Sequence, residues 1–408
     1  MIKELTIENM KLPEGWKMKT LGEVCNIQNG FAYKSKSYVN SGYRVIRIGN
    51  VQNGQIIDKS PRYINESLAK EKEQFIIKEG DILTSLTGDV GRVGVFPEKM
   101  LPAVLNQRVG RFFNIHFSTI DTKYLLLFLK SKKFEEEVIL GATGAAQKNT
   151  STKKILEVKI PTPPLPQQKQ IVATLDKAFA AIDTAKANAE QNLQNAKELF
   201  ESYCQNIFEN DKENWNEKSI GEVCSLFQGL AINAKTKHFL VDKSTLPLLR
   251  IKDLRKNTAE QYINDEKYPQ SALVNKEDLI YTRTGNSLGL VFRGRYGILH
   301  NNSFKIVPKE LLTRDYLFIW LKNPNFKSKI FSLASKAAQP DITHKIFKLQ
   351  KIKIPPIKEQ QQIVKKLNSL LAETKKLEAI YIQKIADLEE MKKSVLQKAF
   401  SGQLNTIN

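Results

Sequence analysis

Hydrophobic residues follow two different patterns along this chain, and the two patterns alternate twice. Across residues 16–161, and again across 215–354, short apolar runs are separated by Gly, Asn and Asp. Apolar runs bounded by turn-forming residues predict short β-strands, with 124–130 and 151–156 predicted as helices instead. Each region is therefore predicted to be a mixed α/β domain built on a twisted, mostly antiparallel sheet.

A narrower apolar stripe follows each of these regions after a proline-rich segment. Apolar or small residues spaced by three or four positions and held for about 40 residues predict a coiled-coil helix about 60 Å long. A long helix packed along its own globular domain is the alternative, but its apolar face would be wider. The predicted seam residues are Ile171, Leu175, Ala178, Ile182, Ala185, Ala189, Leu193, Ala196, Tyr203 and Ile207, then Ile363, Leu367, Leu370, Thr374, Leu377, Tyr381, Ile385, Leu388, Val395 and Ala399.

The second half of the sequence repeats the first. "GEVC" begins at Gly22 and again at Gly221, each time six residues after a tryptophan, and "GDILTSLTGDVG" is answered by "EDLIYTRTGNSLG". From the "AAQ" elements at Ala145 and Ala337 onward, the matching segments keep a constant offset. A repeat this long indicates two domain-sized copies. The chain is therefore expected to be one unit used twice, with an internal pseudo-two-fold axis and the two long helices paired antiparallel.

That symmetry has a consequence for the chain ends. Phe208 at the end of the first helix is followed closely by Trp215, which opens the second domain. If the halves are related by a two-fold axis, Phe400 is expected to lie as close to Trp16 as Phe208 lies to Trp215. The protein would then be circular in space although it is linear in sequence.

Composition adds information about partners. The chain carries 63 Lys and Arg against 43 Asp and Glu, a net charge of +20, and the basic excess lies in the two globular regions. Such a balance favours an anionic partner. The sequence has no apolar run long enough to cross a membrane and no signal peptide, and its three cysteines make no disulfide framework. We therefore expect a cytoplasmic protein with no membrane association.

Sequence motifs of catalysis are missing. Pro163-Pro164 and Pro355-Pro356 lack the flanking residues of an amino-methyltransferase, and no Gly-x-x-x-x-Gly-Lys-Ser/Thr loop could hold ATP phosphates. The four histidines form no pair at metal-ligand spacing. We therefore predict a protein that is not an enzyme and that needs no cofactor and no metal.

The sequence resembles the specificity subunit of type I restriction-modification systems. The resemblance lies in two helix entries that each follow an α/β domain, "PPLPQQKQIVATLD" and "PPIKEQQQIVKKLN", and in the closing segment "QKAFSGQL". The resemblance covers residues 16–404 and implies an α+β fold of two target recognition domains separated by two long helices that form an antiparallel coiled coil. The implied boundaries are 1–162 and 211–354 for the recognition domains, with 163–210 and 355–408 for the helices and the C-terminal tail.

The resemblance also implies partners and a mode of action. Each domain would read one half of a bipartite, asymmetric site on double-stranded DNA. The helices would set the spacing of the halves and dock methyltransferase subunits, expected to number two, while restriction subunits complete the complex. A non-catalytic coiled-coil scaffold and an RNA-binding adaptor remain as alternatives, although the aromatic runs "GRFFNI" and "FIWL" are predicted to be core rather than RNA-stacking surfaces.

Candidate DNA contacts follow from residue type and position. Arginine, amide and hydroxyl side chains beside glycine-rich turns could reach base edges or phosphates, and each of them could instead stabilise a turn or a strand end. The candidates come from four kinds of position. These are the two turns "TSLTGDVGR" and "TRTGNSLG", two amide-bearing segments, two arginines inside apolar runs and two glutamines in connectors. The candidates are Arg47, Ser85, Thr87, Arg92, Gln107, Arg108, Gln147, Arg250, Thr282, Arg283, Thr284, Asn286, Asn301, Asn302 and Gln339.

Overall fold

The structure, a computed structural model, describes residues 12–144, 148–209, 215–334 and 339–404. The chain divides into two compact units. Unit 1 combines the chain up to Ala189 with the segment from Gln383 onward, and unit 2 is Glu190–Ile382. Each unit therefore holds one globular domain together with one part of each long helix.

The globular domain of unit 1 alternates short strands with short helices. The strands are β1 (Lys17–Thr20), β2 (Asn26–Asn29), β3 (Tyr43–Ile46), β4 (Val51–Gln52), β5 (Gly54–Ile56), β6 (Tyr63–Ile64), β7 (Ile76–Ile77), β8 (Ile82–Ser85), β9 (Val93–Val95), β10 (Ala103–Leu105), β11 (Val109–Phe113) and β12 (Lys159–Thr162). The helices are α1 (Glu66–Glu71), α2 (Thr122–Leu129), α3 (Lys132–Leu140) and α4 (Thr152–Leu156), and α5 (Leu165–Glu209) follows the domain.

Two sheets and a ribbon make up this domain. One sheet has the order β2-β11-β8-β9-β5-β4, the other β6-β3-β10-β7, and β1 pairs with β12. The described pairs are antiparallel apart from β3 with β10 and β5 with β9. Buried aliphatic and aromatic residues from the first sheet, α2, α3 and the start of α5 share one core. The predicted mixed α/β domain with a mostly antiparallel sheet is confirmed.

Unit 2 repeats this plan. Its strands are β13 (Asn216–Ser219), β14 (Cys224–Gln228), β15 (Leu240–Val241), β16 (Leu246–Leu249), β17 (Tyr262–Ile263), β18 (Leu273–Val274), β19 (Leu279–Thr282), β20 (Val291–Arg293), β21 (Gly297–Leu299), β22 (Ser303–Pro308) and β23 (Lys351–Ile354). Its helices are α6 (Ile220–Val223), α7 (Ile251–Lys256), α8 (Arg314–Leu321), α9 (Pro324–Leu333) and α10 (His344–Lys348), followed by α11 (Ile357–Phe400).

The strand orders of unit 2 match those of unit 1. The order β14-β22-β19-β20 reproduces β2-β11-β8-β9, and β17-β16-β21-β18 reproduces β6-β3-β10-β7. The parallel pair β16 with β21 repeats β3 with β10. The sequence repeat is thus a repeat of topology. The helices predicted at 124–130 and 151–156 are α2 and α4, whereas α1, α3, α6, α7 and α9 were not predicted.

Within each unit, segments of α5 and α11 pack antiparallel, as predicted. In unit 1, Lys392 Nζ lies 2.7 Å from the carboxylate of Asp183, and Lys186 pairs with Glu389, so the α11 partner moves backward as α5 advances. In unit 2, Cys204 and Phe208 share a core with Ile363 and Leu367 of α11. Apart from Leu377, the predicted seam residues are buried or half-buried, as expected for residues packed between two helices.

One seam residue was predicted wrongly. Leu377 has 41% of its surface exposed, while Thr374 is buried and Glu378 is partly buried. Phe200, which falls in the gap between the predicted seam residues Ala196 and Tyr203, packs against the core of unit 2. The buried stripes of α5 and α11 therefore include residues that do not follow the predicted spacing. Which residues these are depends on how the two helices pack in the folded protein.

The doubled "GEVC" is a capped helical turn followed by core residues. Glu23 accepts hydrogen bonds from the backbone N–H of Thr20 (2.7 Å) and from its hydroxyl (3.0 Å), and Glu222 does the same for Ser219. These bonds hold the pKa of both carboxyls below the ordinary value. The next residues in each copy, Val24-Cys25 and Val223-Cys224, are buried. The repeated motif is therefore structural.

The Pro-Pro-x-x-x-Gln-x-x-Ile-Val entry ties each long helix to its domain. Gln168 is fully buried; its Oε1 accepts from the N–H of Asp121 at 2.8 Å, and its Nε2 donates to the carbonyls of Thr119 and Pro163. Gln360 makes the corresponding bonds in unit 2, to Thr313, Leu311 and Pro355. In each copy, one glutamine side chain thus forms hydrogen bonds with backbone groups of two segments. One segment is the loop before α2 in unit 1 or α8 in unit 2, and the other is the start of the long helix.

Among the described helices, none is long and apolar enough to span a membrane.

Candidate nucleic-acid interface

The turn between β8 and β9 in unit 1 is closed by a buried hydroxyl. Ser85 Oγ donates to the carbonyl of Asp89 at 2.5 Å and accepts from the N–H of Arg92 at 3.1 Å. Gly88 and Gly91 have φ of 75° and 82°, which a residue with a side chain rarely adopts. Hydrogen bonds of a buried hydroxyl therefore stabilise this turn. The exposed positions of the turn do not take part in these bonds.

The turn between β19 and β20 in unit 2 has the same construction. Thr282 Oγ1 donates to the carbonyl of Ser287 and accepts from the N–H of Leu290 at 2.8 Å. Gly285 and Gly289 adopt φ of 64° and 84°. Leu290 thus stands where unit 1 has Arg92, because each makes the bond that closes its turn.

Backbone hydrogen bonds bring other candidate segments to each turn. In unit 1 the N–H of Leu86 donates to Arg108 O at 3.0 Å, and the N–H of Thr150 donates to Leu86 O at 2.9 Å. In unit 2 the N–H of Arg283 donates to Asn302 O at 2.9 Å, and the N–H of Ile342 donates to Arg283 O at 3.1 Å. The matched bonds make Leu86 the structural counterpart of Arg283.

A glycine in each copy lets a further strand end join the cluster. A Cβ on Gly30 would lie 2.0 Å from the carbonyl oxygen of Leu105, and one on Gly229 would lie 2.3 Å from that of His300. Only glycine permits this approach, so "NGF" and "QGL" recur in the sequence for a steric reason. The ends of β2, β8 and β10 therefore meet near the start of β11 in unit 1, and the ends of β14, β19 and β21 meet near the start of β22 in unit 2.

Two of the three candidate arginines near the turn of unit 1 form hydrogen bonds within the protein. Arg92 pairs with Asp89, and its Nη1 donates to Gln52 Oε1 at 3.3 Å. Arg47 donates from Nη2 to the carbonyl of Ser60 at 2.5 Å. Arg108 and Gln107 are exposed. These side chains offer donors of both charged and neutral type at a single edge of the domain.

The guanidinium of Arg250 in unit 2 donates hydrogen bonds to neighbouring side chains. Asp253, which is fully buried, accepts from its Nε at 2.6 Å and from Nη2 at 3.1 Å, while Gln261 and Glu260 accept from its other N–H groups. The bonds to Asp253 raise the pKa of Arg250 above its ordinary value. Because these bonds occupy four of its five N–H groups, the position of Arg250 argues against the predicted DNA contact and for support of the loop.

Ser85 and Thr282 require the same correction. Their exposed surfaces are 1% and 0%, and both hydroxyls already donate and accept inside their turns. We therefore assign them to the turn and not to the surface. The remaining described candidates are at least partly exposed; Gln107, Arg108, Asn286 and Gln339 are exposed, and Arg47, Thr87, Arg92, Arg283, Thr284, Asn301 and Asn302 are half-buried. Gln147 lies outside the described residues.

The described part of the chain contains no group of three or more His, Cys, Asp or Glu side chains placed to hold a metal ion. Phe112 and Trp320 of the two aromatic runs are buried, as predicted, whereas Phe113 and Phe318 are half-buried.

Comparison with known proteins identifies the family. The family described as "Type I restriction modification DNA specificity domain" matches residues 13–195 and 212–387, most of the chain and one match per copy. The chain belongs to this family. Its members are specificity subunits, which are recognition components and not catalytic, and the prediction drawn from the two helix entries is confirmed.

The chain is similar to individual specificity subunits over nearly its whole length. It is 27% identical to the type I restriction enzyme EcoKI specificity subunit of Escherichia coli K12, covering 97% of this chain and 90% of that one. It is 25% identical to the EcoBI specificity subunit of Escherichia coli, covering 98% and 90%. The HsdS subunit from Thermoanaerobacter tengcongensis shares the fold, with a TM-score of 0.64 at 19% identity over 97% of this chain and 98% of that one.

Sequence reasoning missed several residues that lie beside the candidate interface. Gln52 is bonded to Arg92, and Gln228 and Asp341 are bonded to Arg283. The ring of His344 packs at a tilt against Phe304, with ring centroids 4.1 Å apart, and burial lowers the pKa of His344. No local motif marks these residues, because each reaches the turn from a distant part of the chain.

Proposed function

We propose that this specificity-domain protein reads a bipartite, asymmetric DNA target in the cytoplasm, one half with each globular domain, and directs two methyltransferase subunits and the restriction subunits to it. The observation that carries the proposal is the turn cluster described above. Both units build the same backbone frame, yet they place different polar side chains on it. A common frame with different side chains is what two readers of unlike half-sites require.

Charge supports the same function. The net charge of +20 suits a phosphate backbone, and sequence-independent attraction of this kind supplies most of a protein's affinity for nonspecific DNA. Half-buried arginines and exposed amides at the turns supply the donors that base edges accept. An RNA adaptor would instead display aromatic side chains for stacking, whereas Phe112 and Trp320 of the aromatic runs are buried.

The test is to express the chain with its methyltransferase subunit and map methylated bases in the host genome by long-read sequencing. The expected result is one motif with two specified parts separated by a gap of constant length. The chain purified alone, incubated with S-adenosylmethionine, is expected to methylate nothing. A motif without a gap, or methylation by the isolated chain, would refute the proposal.

A further inference from the structure

Arg283 lies at the centre of a polar cluster in unit 2. Its Nε donates to Asp341 Oδ1 at 2.9 Å and its Nη2 to Asp341 Oδ2 at 2.5 Å, so the pair is bidentate. Its Nη1 donates to Gln228 Oε1 at 3.2 Å, and its guanidinium lies 5.4 Å from the centre of the Phe304 ring. The side chain is held by two polar partners and one aromatic face, which leaves it little rotamer freedom.

Gln228 and Asp341 are themselves fixed. Gln228 Nε2 donates to the carbonyl of Asn301 at 3.2 Å, while Asp341 forms a β-bridge with Thr284. Both anchors belong to the turn cluster and not to remote loops. The guanidinium is therefore oriented by the same segments that form the candidate DNA surface.

Arg283 keeps two N–H donors after its bonds to Asp341 and Gln228 are counted. A guanidinium has five N–H groups, and the three bonds to Asp341 and Gln228 use one from Nε, one from Nη1 and one from Nη2. One N–H is left on each terminal nitrogen, and 17% of the side chain is exposed. Two N–H groups on neighbouring nitrogens are what a bidentate bond to guanine O6 and N7 uses.

Unit 1 lacks this cluster at the matched positions. Leu86, which is buried, replaces Arg283, and Asn149 forms the β-bridge with Thr87 that Asp341 forms with Thr284. Unit 1 has its turn arginine on the other side, at Arg92, where unit 2 has Leu290. The turn itself thus carries one arginine in each copy, at non-equivalent points.

We propose that Asp341 and Gln228 are positioning residues that aim Arg283 at a guanine in the half-site read by unit 2. Unit 1 does not read a guanine from this point of its turn. The assignment rests on the proposed function and names the base that one side chain recognises. Asp341 acts through Arg283, since a carboxylate facing DNA on its own would repel phosphates.

The experiment compares methylated motifs in cells that express the methyltransferase with wild type, Arg283→Ala, Arg283→Lys, Asp341→Ala or Asp341→Asn. The two arginine variants are expected to lose discrimination for guanine at one position of one half-site by about 5- to 150-fold. Arg283→Lys keeps the charge but has no planar fork. Asp341→Ala should relax the same position although Arg283 is intact, and Asp341→Asn should relax it less, because one acceptor oxygen remains.

Asp89→Ala is the matched control, because it removes the carboxylate that pairs with the turn arginine of unit 1. It should leave the half-site of unit 2 unchanged. Co-purification with the methyltransferase and an unchanged melting temperature identify variants that are folded, and the two conservative variants carry the test if an alanine variant is not.

Three results would overturn the assignment. The first is a guanine preference that survives Arg283→Lys, and the second is an equal loss at every position of the motif, which a phosphate contact would produce. The third is relaxation by Arg283→Ala without any by Asp341→Ala or Asp341→Asn, which would remove the positioning role. In each case the wild-type motif would still be bipartite, so failure of the assignment is distinct from failure of the proposed function.

Discussion

The ring of Tyr124 meets the ring of Phe400 edge-on in unit 1, with centroids 5.1 Å apart. Phe208 and Tyr316 make the same contact in unit 2, at 5.8 Å. The C-terminal end of α11 therefore completes the core of the domain that begins at Trp16. The backbone agrees, since a Cβ on Gly402 would lie 2.3 Å from Pro13 Cγ, and Trp16 packs against the core cluster that contains Phe400. In unit 2, Trp215 likewise packs against the core cluster that contains Phe208, which is the arrangement that the predicted symmetry requires.

Phe400→Ala is expected to destabilise unit 1 by about 3–5 kcal/mol, because it removes a buried ring that also packs on Phe128. Hydrogen exchange would report the effect as faster exchange in α2, with α8 unchanged. Phe208→Ala is the matched control and should give the opposite pattern. Equal loss of protection in α2 and α8 from either variant would contradict the assignment of one helix end to each unit.

A circular permutant is expected to fold. Leu404 joined to Pro13 by a short linker, with new ends opened at Asp211, keeps the contacts of Phe400 and Gly402 described above. The linker costs little, because loop-closure entropy grows only logarithmically with length. Thermal melting and the methylation motif should match those of the wild type. A folded permutant that methylates a different motif would show that the chain order matters for recognition.

Gln168→Ala is expected to cost about 2–4 kcal/mol, because it leaves the N–H of Asp121 and the carbonyls of Thr119 and Pro163 without their buried partner. Chemical denaturation followed by circular dichroism measures the change. Gln170→Ala, at an exposed position two residues on, should lie within about 0.5 kcal/mol of the wild type. Similar values for both variants would mean that the entry motif does not anchor the helix.

The three cysteines are expected to resist alkylation in the folded protein. Burial raises the pKa of Cys25 and of Cys224 from 9.0 to about 12, and that of Cys204 to about 11. At pH 8 the thiols stay protonated, and the thiolate is the reactive form. A thiol reagent should therefore modify three sites only in denaturant. Because folding raises these pKa values, their contribution to stability is lost as the pH rises from 9 toward 12.

Helix length is expected to set the gap in the DNA motif. Removing seven residues within 183–197, with a matching removal from α11, shortens a helix by about 10 Å, or about three base pairs. Sequencing of methylated sites should find a shorter gap between unchanged half-sites. Removal of two or five residues should be tolerated less well, since it breaks the heptad seam. An unchanged gap would refute the role of the helices as spacers.

The sequence alone determined the repeat, the strand-rich domains and the two long helices. Periodicity and turn residues act over a few positions, so local pattern is enough to recognise them. Tertiary structure decided which of the candidate side chains are exposed and which are buried. Ser85 and Thr282 read as surface hydroxyls but are buried, and Arg250 is occupied by Asp253. Arg283 forms hydrogen bonds with Asp341, which lies 58 residues away in the sequence, so no local pattern could predict this pair. The same limit applies to Leu377, because the burial of a seam residue depends on what faces it from a helix far along the chain.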